Sequence, residues 1–171
     1  GFPVADDQRL FEKLCLESFQ SGLSWRTILA KRENFRAAFR QFDIQTVAAF
    51  DEHDVARLLK DAGIVRHRGK IEAVINNARR ASELVQTEGS LATYLWRLEP
   101  DASSLAARQS STTWPASIAL SRDLKQRGWK FVGPTTLHAF MQAMGLINDH
   151  LPACVTRQAV ADARALFTPP V

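Results

Sequence analysis

Glu17 is a carboxylate near the apolar face of a predicted helix. Leu10, Leu14 and Ser18 recur at helical spacing with Cys15 beside them, and Glu17 lies on or beside this stripe. A carboxylate there can lie half buried at the stripe's edge, can form a structural ion pair or cap, or can line a pocket and bind a polar ligand. The spacing alone favours the first two possibilities taken together.

The residues that follow Glu17 favour a binding role. Gly22 breaks the helix and Trp25 begins the next one, so a carboxylate and an indole converge on the break. An indole attracts a flat cationic ring by stacking and cation–π attraction, and a carboxylate accepts hydrogen bonds from the ring's edge. Leu23 lies near the tip of the turn, where it is suited to wedge into a base stack. The alternatives are that Trp25 anchors the core and that Leu23 is a core leucine.

A glycine-proline turn joins two predicted helices at about residues 118–145. Pro134 suits the first turn of the second helix, and Gly133 lets a partner approach the backbone closely. Exposed N–H groups at that helix start would bind one phosphate, with Lys130 nearby. This pattern predicts a helix-hairpin-helix element that holds the DNA backbone without reading sequence. An ordinary corner between two helices is the alternative.

A second basic joint, "AGIVRHRGK" at residues 62–70, lies between two other predicted helices. Arg66, His67, Arg68 and Lys70 cluster around Gly69, and such a loop could neutralise phosphates. The alternative is a solvated surface turn, which charged runs usually are. Two basic joints in one small chain favour a DNA partner without establishing it.

The elements that must position these residues are helical nearly throughout. Helices are predicted at about 7–20, 25–35, 44–50, 52–62, 69–86, 91–98, 117–128, 136–145 and 153–167, with an irregular stretch at 99–116. Ser24, Asp43, Asp51 and Ser90 are the predicted N-caps, and Gly63 is the predicted end of the fourth helix. The sequence therefore predicts an all-α bundle with short connections.

The bulk composition fits one compact domain over residues 1–171, with 46% hydrophobic residues. No apolar run is long enough to span a bilayer, and no signal peptide is evident. Two cysteines, Cys15 and Cys154, do not make a disulfide framework, so a reducing cytoplasm is expected. The net charge of +4 favours a polyanionic partner.

A family resemblance rests on three long segments: "LFEKLCLESFQSGLSWRTILAKRENFRAAFRQFD", "DAGIVRHRGKIEAVINNAR" and "KFVGPTTLHAFMQAMGLINDH". Together they resemble the DNA-3-methyladenine glycosylase I family, from about residue 3 to about residue 154. The resemblance implies an all-α member of the helix-hairpin-helix glycosylase superfamily. It also implies a bacterial, cytoplasmic and nucleoid-associated enzyme.

The resemblance implies roles for particular residues. Glu17 matches the family's essential carboxylate, which recognises the flipped 3-methyladenine, and Trp25 matches an aromatic of the base pocket. The turn from Gln20 to Leu23 matches the loop that fills the gap left by the extruded nucleotide, and the turn at Gly133 matches the DNA-gripping hairpin. With the basic joints added, the predicted DNA contacts are Gln20, Gly22, Leu23, Arg66, Arg68, Lys130, Gly133 and Thr135.

The resemblance also implies a structural zinc ion. His150 and Cys154 match the C-terminal half of the family's zinc site. The family's N-terminal segment, which carries a Cys and a His as the other ligands and pocket tyrosines, is absent from this sequence. The superfamily usually has a catalytic Asp shortly after the hairpin, and this sequence has Asn148 and Asp149 there. The resemblance implies that this family does not use such an Asp in the usual catalytic role.

The predicted function is that of a monofunctional DNA glycosylase in base excision repair. It would flip 3-methyladenine out of alkylated double-stranded DNA, hydrolyse the N-glycosidic bond and release the free base, acting as a monomer. Residues 133–136 include no lysine, so a Schiff-base nucleophile is not expected there and the strand should stay intact. The alternatives are a non-enzymatic helix-hairpin-helix DNA-binding module and a helical protein-interaction domain.

Overall fold

The computed structural model describes residues 1–100 and 112–171, and these contain ten α-helices and no strand. The helices are α1 (Asp7–Gln20), α2 (Trp25–Ala30), α3 (Arg32–Ala38), α4 (Ile44–Ala48), α5 (Glu52–Lys60), α6 (Arg68–Glu88), α7 (Leu91–Trp96), α8 (Pro115–Gln126), α9 (Pro134–Ala143) and α10 (Thr156–Leu166). A 3-10 turn, Arg40–Phe42, precedes α4. The all-α prediction is confirmed. Most of the predicted irregular stretch lies outside the described residues, and its last two positions belong to α8.

Local hydrogen bonds set most of the helix starts. The side chains of Ser24, Asp43, Asp51 and Ser90 each accept a backbone N–H from the first turn of α2, α4, α5 and α7 respectively. The four predicted N-caps are therefore confirmed. They depend on residues within one turn of the cap, which is the range over which sequence is most informative.

Several helix boundaries differ from the prediction, among them those at Lys31 and Gly63. One helix was expected from residue 25 to residue 35, but Lys31 separates α2 from α3. The prediction that Gly63 ends α5 was wrong, because α5 stops at Lys60 and Asp61 is the C-cap. The Asp61 carboxylate accepts the Gly63 backbone N–H at 2.7 Å, so a local side-chain bond replaces the continuing helix.

α1 is the central element of the molecule. Each of its residues from 10 to 19 is buried, and it packs against α6, α7, α9 and the 3-10 turn. A helix enclosed on several sides has few places for polar groups, so any carboxylate on it must find a partner or a cavity inside the protein. Within the described residues, no helix combines the length and apolar character needed to cross a membrane.

Candidate active site

A pocket of about 550 Å³ lies between α1, the start of α2, α9 and the segment that follows α9. We call it the Glu17 pocket. Among the residues that line it are Lys13, Glu17, Trp25, Gln142, Asp149 and His150. Glu17 is only 5% exposed, and Trp25 is partly buried against the core. The structure therefore brings the two residues singled out at the helix break into one cavity.

Lys13 connects Glu17 to Trp25. Its ammonium lies 2.6 Å from Oε1 of Glu17 and 3.6 Å from the centroid of the Trp25 ring. The lysine is 8% exposed. The sequence interpretation missed Lys13, although a Lys and a Glu four residues apart on one helix were the available signal.

Asp149 gives the pocket a second carboxylate. Its Oδ2 accepts a hydrogen bond of 2.7 Å from Nε2 of Gln142, and Nε2 of the buried His138 lies 3.5 Å from the same oxygen. Gln142 and His138 both come from α9, so this helix fixes the carboxylate at the pocket wall. The sequence interpretation named Asp149 without its partners.

His150 and Cys154 lie close enough to bind one ion. Nδ1 of His150 is 3.4 Å from Sγ of Cys154, and two ligands of a tetrahedral zinc ion are separated by about 3.6 Å, given ordinary Zn–N and Zn–S lengths. The pair therefore fits half of such a site. Within residues 1–100 and 112–171, no group of three or more His, Cys, Asp or Glu side chains is placed to hold a metal.

The turn at residues 20–24 is held by a buried lysine. Lys70 donates to the carbonyl oxygens of Phe19 at 2.8 Å and Ser21 at 2.5 Å, and burial lowers the pKa of its ammonium. Gly22 adopts a φ of 78°, which favours glycine. Leu23 is 39% exposed, so it is not a core leucine.

A second cavity of about 580 Å³, the inter-turn cleft, separates this turn from the start of α9. Leu23 and Gly22 line one side, and Thr135 and Thr136 line the other. Glu17, Gln20 and Ala139 line both the cleft and the Glu17 pocket. The pocket therefore adjoins the gap between the two turns that the sequence predicted to contact DNA.

The turn between α8 and α9 is fixed by side chains of α1, α6 and α8. Asn77 of α6 receives the Lys130 N–H at 2.8 Å and donates to the Lys130 carbonyl at 2.9 Å. Ser18 of α1 donates to the Phe131 carbonyl at 3.0 Å, and Ser121 of α8 donates to the Val132 carbonyl at 2.7 Å. These bonds hold the turn rigidly against the core.

The backbone conformation at position 133 does not require a glycine. Its φ is −67°, an ordinary value, and a Cβ there would come no closer than 3.9 Å to Thr136. Lys130 and Thr135 are exposed on the same turn. The start of α9 is thus open to an approaching partner.

The basic joint before α6 presents less free charge than its sequence suggests. Arg66 is exposed, but Arg68 pairs with Glu52 at 2.9 Å and with Glu72 at 3.1 Å. These carboxylates raise the pKa of Arg68. Lys70 points inward to the carbonyls described above, so it is not available to neutralise phosphates.

Comparisons with known proteins agree on one family. The family model for methyladenine glycosylases matches residues 1–158. The chain is 50% identical over 160 residues to DNA-3-methyladenine glycosylase 1 of Escherichia coli (strain K12), covering 90% of this chain and 84% of that protein. It is 41% identical over 158 residues to DNA-3-methyladenine glycosylase of Haemophilus influenzae, covering 90% and 85%.

A solved structure extends the likeness to the fold. It concerns 3-methyladenine recognition by 3-methyladenine DNA glycosylase I from Staphylococcus aureus, and it matches with a TM-score of 0.82 and 36% identity over 92% of this chain and 86% of that one. The family resemblance inferred from the three sequence segments is confirmed. The chain belongs to the methyladenine glycosylase family.

Proposed function

We propose that this protein excises 3-methyladenine from alkylated DNA, with Glu17 and Trp25 holding the flipped base. The relatives described above carry this activity in their names. The observation that carries the residue assignment is the placement of a buried carboxylate beside an indole, in a pocket that adjoins the cleft between two turns. An extruded base needs such a pocket next to the surface that holds its strand.

Two turns would hold the DNA. The start of α9, with Gly133 and Thr135, offers backbone N–H groups to one phosphate, as a helix-hairpin-helix element does. Leu23 is exposed on the turn that lines one side of the inter-turn cleft, and it would fill the gap left by the flipped nucleotide. Lys130 and Arg66 are exposed and would add non-specific attraction to the backbone.

The chemistry needs little acid catalysis, because methylation at N3 leaves the base positively charged. Glu17 would accept hydrogen bonds from the edge of the purine, and Trp25 would stack on its face. When the bond from C1′ to N9 breaks, its electron pair goes to the base, which leaves neutral. Water then bonds to the oxocarbenium-like sugar and loses a proton, leaving an abasic site.

We also propose that His150 and Cys154 supply two ligands to a structural zinc ion. The support is their 3.4 Å separation and the preference of zinc for imidazole nitrogen and thiolate sulfur. Such an ion would tie the segment after α9 to its neighbours. Zinc content measured on purified protein should fall when Cys154 is replaced by Ser. The monomeric state and the nucleoid location stay predictions.

The test of the function is base release from alkylated duplex DNA, followed by chromatography of the free bases. We expect release of 3-methyladenine, no strand cleavage and no adduct trapped by borohydride. Salt-dependent duplex binding without base release would instead favour a non-enzymatic DNA-binding module. A trapped adduct or a nicked strand would contradict the monofunctional mechanism.

A further inference from the structure

Lys13 lies in the place that a stacked purine would take in the Glu17 pocket. Its ammonium sits 3.6 Å above the centre of the Trp25 ring, which is an ordinary stacking distance, and 2.6 Å from Glu17. The ammonium therefore contacts both the Glu17 carboxylate and the face of Trp25, which are the two groups assigned above to binding of the flipped base. A base that stacks on this face of Trp25 must push the ammonium aside.

The lysine cannot move far from the pocket. Lys13 and Glu17 lie on adjacent turns of α1, and the ammonium is enclosed with 8% of the residue exposed. When displaced from the indole, its charge remains tethered on the helical turn next to that of the carboxylate. The charges of Lys13 and Glu17 thus largely cancel, both in the empty pocket and beside a bound base.

We propose that Lys13 is a specificity-determining residue that weakens the pocket's preference for a cationic purine over a neutral one. The inference rests on the proposed role of Glu17 and Trp25 as the base-binding pair. A lone carboxylate would bind the cationic base most tightly. A carboxylate neutralised by a tethered ammonium weakens that preference, because the ammonium repels a positively charged ring.

Weakening the preference for the cation would assist cleavage. The methylated base is a cation while it is attached to DNA and becomes neutral when the electron pair of the C1′–N9 bond moves onto it. An ammonium beside the base disfavours the attached cation relative to the departing neutral purine, so its effect is stronger in the ground state than in the transition state. Lys13 would therefore contribute to turnover more than to the affinity for alkylated DNA.

The test compares two free ligands at mildly alkaline pH by quenching of tryptophan fluorescence. Neutral 3-methyladenine is the first, and 3,9-dimethyladeninium, which keeps a permanent positive charge, is the second. We expect Lys13→Met to lower the ratio of the cation's Kd to the neutral base's Kd by at least about tenfold. Lys60→Met removes an exposed lysine at the end of α5 and should leave the ratio unchanged.

Lys13→Gln guards the test against a folding defect, since it keeps a hydrogen-bond donor for Glu17 but not the charge. It should lower the ratio as Lys13→Met does. An unchanged ratio in either folded variant would overturn the inference while leaving the proposed function intact. If wild type binds neither ligand, the proposed base pocket falls, and the inference falls with it.

Discussion

Two carboxylates of α1 lie five residues apart in the core, Glu12 with 4% of its surface exposed and Glu17 with 5%. Glu12 is surrounded by arginines. Its Oε1 accepts hydrogen bonds from Arg32 at 2.7 Å and Arg36 at 3.0 Å, and its Oε2 accepts from Arg9 and Arg36, each at 3.1 Å. Glu17 instead pairs with Lys13 and lines both the pocket and the inter-turn cleft.

Burial alone therefore does not distinguish a functional carboxylate from a structural one. Both oxygens of Glu12 are occupied by donors from α1 and α3, so this carboxylate joins helices and has no capacity left for a ligand. Glu17 has a single lysine and an adjacent cavity. The number of donors already bound, together with the space beside the carboxylate, separates the two roles.

The largest expected effect is on activity, in Glu17→Gln. The amide keeps the shape of the side chain but replaces an accepting oxygen with a donor and leaves the Lys13 ammonium uncompensated beside the base, so 3-methyladenine excision should fall at least about 100-fold, or about 2.7 kcal/mol in the activation barrier. Because Lys13 loses its charged partner, the melting temperature should fall as well, so excision is compared per folded molecule well below that temperature. Release of 3-methyladenine from alkylated DNA measures the first quantity. Excision within threefold of wild type would contradict the assignment of a functional role to Glu17 and a structural role to Glu12.

The next largest effect is on stability, in Glu12→Gln. Removing the charge of the buried Glu12 leaves three partly exposed arginines poorly compensated, so the free energy of unfolding should fall by about 3 kcal/mol. For a chain of this size the melting temperature should drop by roughly 6 to 12 °C. Excision per folded molecule, assayed well below the melting temperature, should stay within a few-fold of wild type. The opposite pattern, full stability with lost activity, would contradict the structural role.

A buried cation extends the comparison to Lys70, whose partners are backbone carbonyls. In Lys70→Met the carbonyls of Phe19 and Ser21 lose their donor, so the turn that carries Leu23 should shift. We expect excision from DNA to fall about tenfold while free 3-methyladenine binds as before. Lys60→Met is the matched control. Equal losses in both assays would show that Lys70 supports the pocket rather than the turn.

The smallest effect concerns Asp123, a partly exposed carboxylate. Burial alone would raise its pKa, but hydrogen bonds from Tyr94 at 2.5 Å and Arg127 at 2.8 Å, with the charge of Arg127, bring the pKa below its ordinary 3.8. Between the folded-state pKa and the unfolded-state value of 3.8, the unfolded chain binds more protons than the folded one. The stabilising contribution of Asp123 is therefore present above pH 3.8 and is lost as the pH falls through the folded-state pKa. Asp123→Asn should be less stable than wild type near neutral pH. Thermal melts should show this difference shrinking in acid, and a constant difference would contradict the assignment.

Much of the fold could be predicted from sequence because its signals are local. Ser24 and Asp43 cap helices through bonds to residues three positions away. The prediction that Gly63 ends a helix was wrong because its backbone N–H donates to the Asp61 side chain instead of to a helical carbonyl. The break that brings Glu17 and Trp25 together was equally local.

The rest of the site depends on contacts that spacing does not reveal. The arginines around Glu12 include Arg32 and Arg36, which lie 20 and 24 residues along the chain. Lys70 reaches Phe19 across 51 positions. In the sequence, each of these arginine and lysine residues resembles an ordinary surface residue. Its partner is determined by tertiary packing, which local spacing does not reveal.

The most direct test of the account is a titration of free 3-methyladenine into wild type, Glu12→Gln and Glu17→Gln, followed by tryptophan fluorescence at a temperature where all three are folded. We predict saturable quenching with similar Kd values for wild type and Glu12→Gln, and none at the same concentrations for Glu17→Gln. Quenching of Glu17→Gln with the wild-type Kd would contradict the claim that this carboxylate, rather than burial of an acid as such, makes the base pocket.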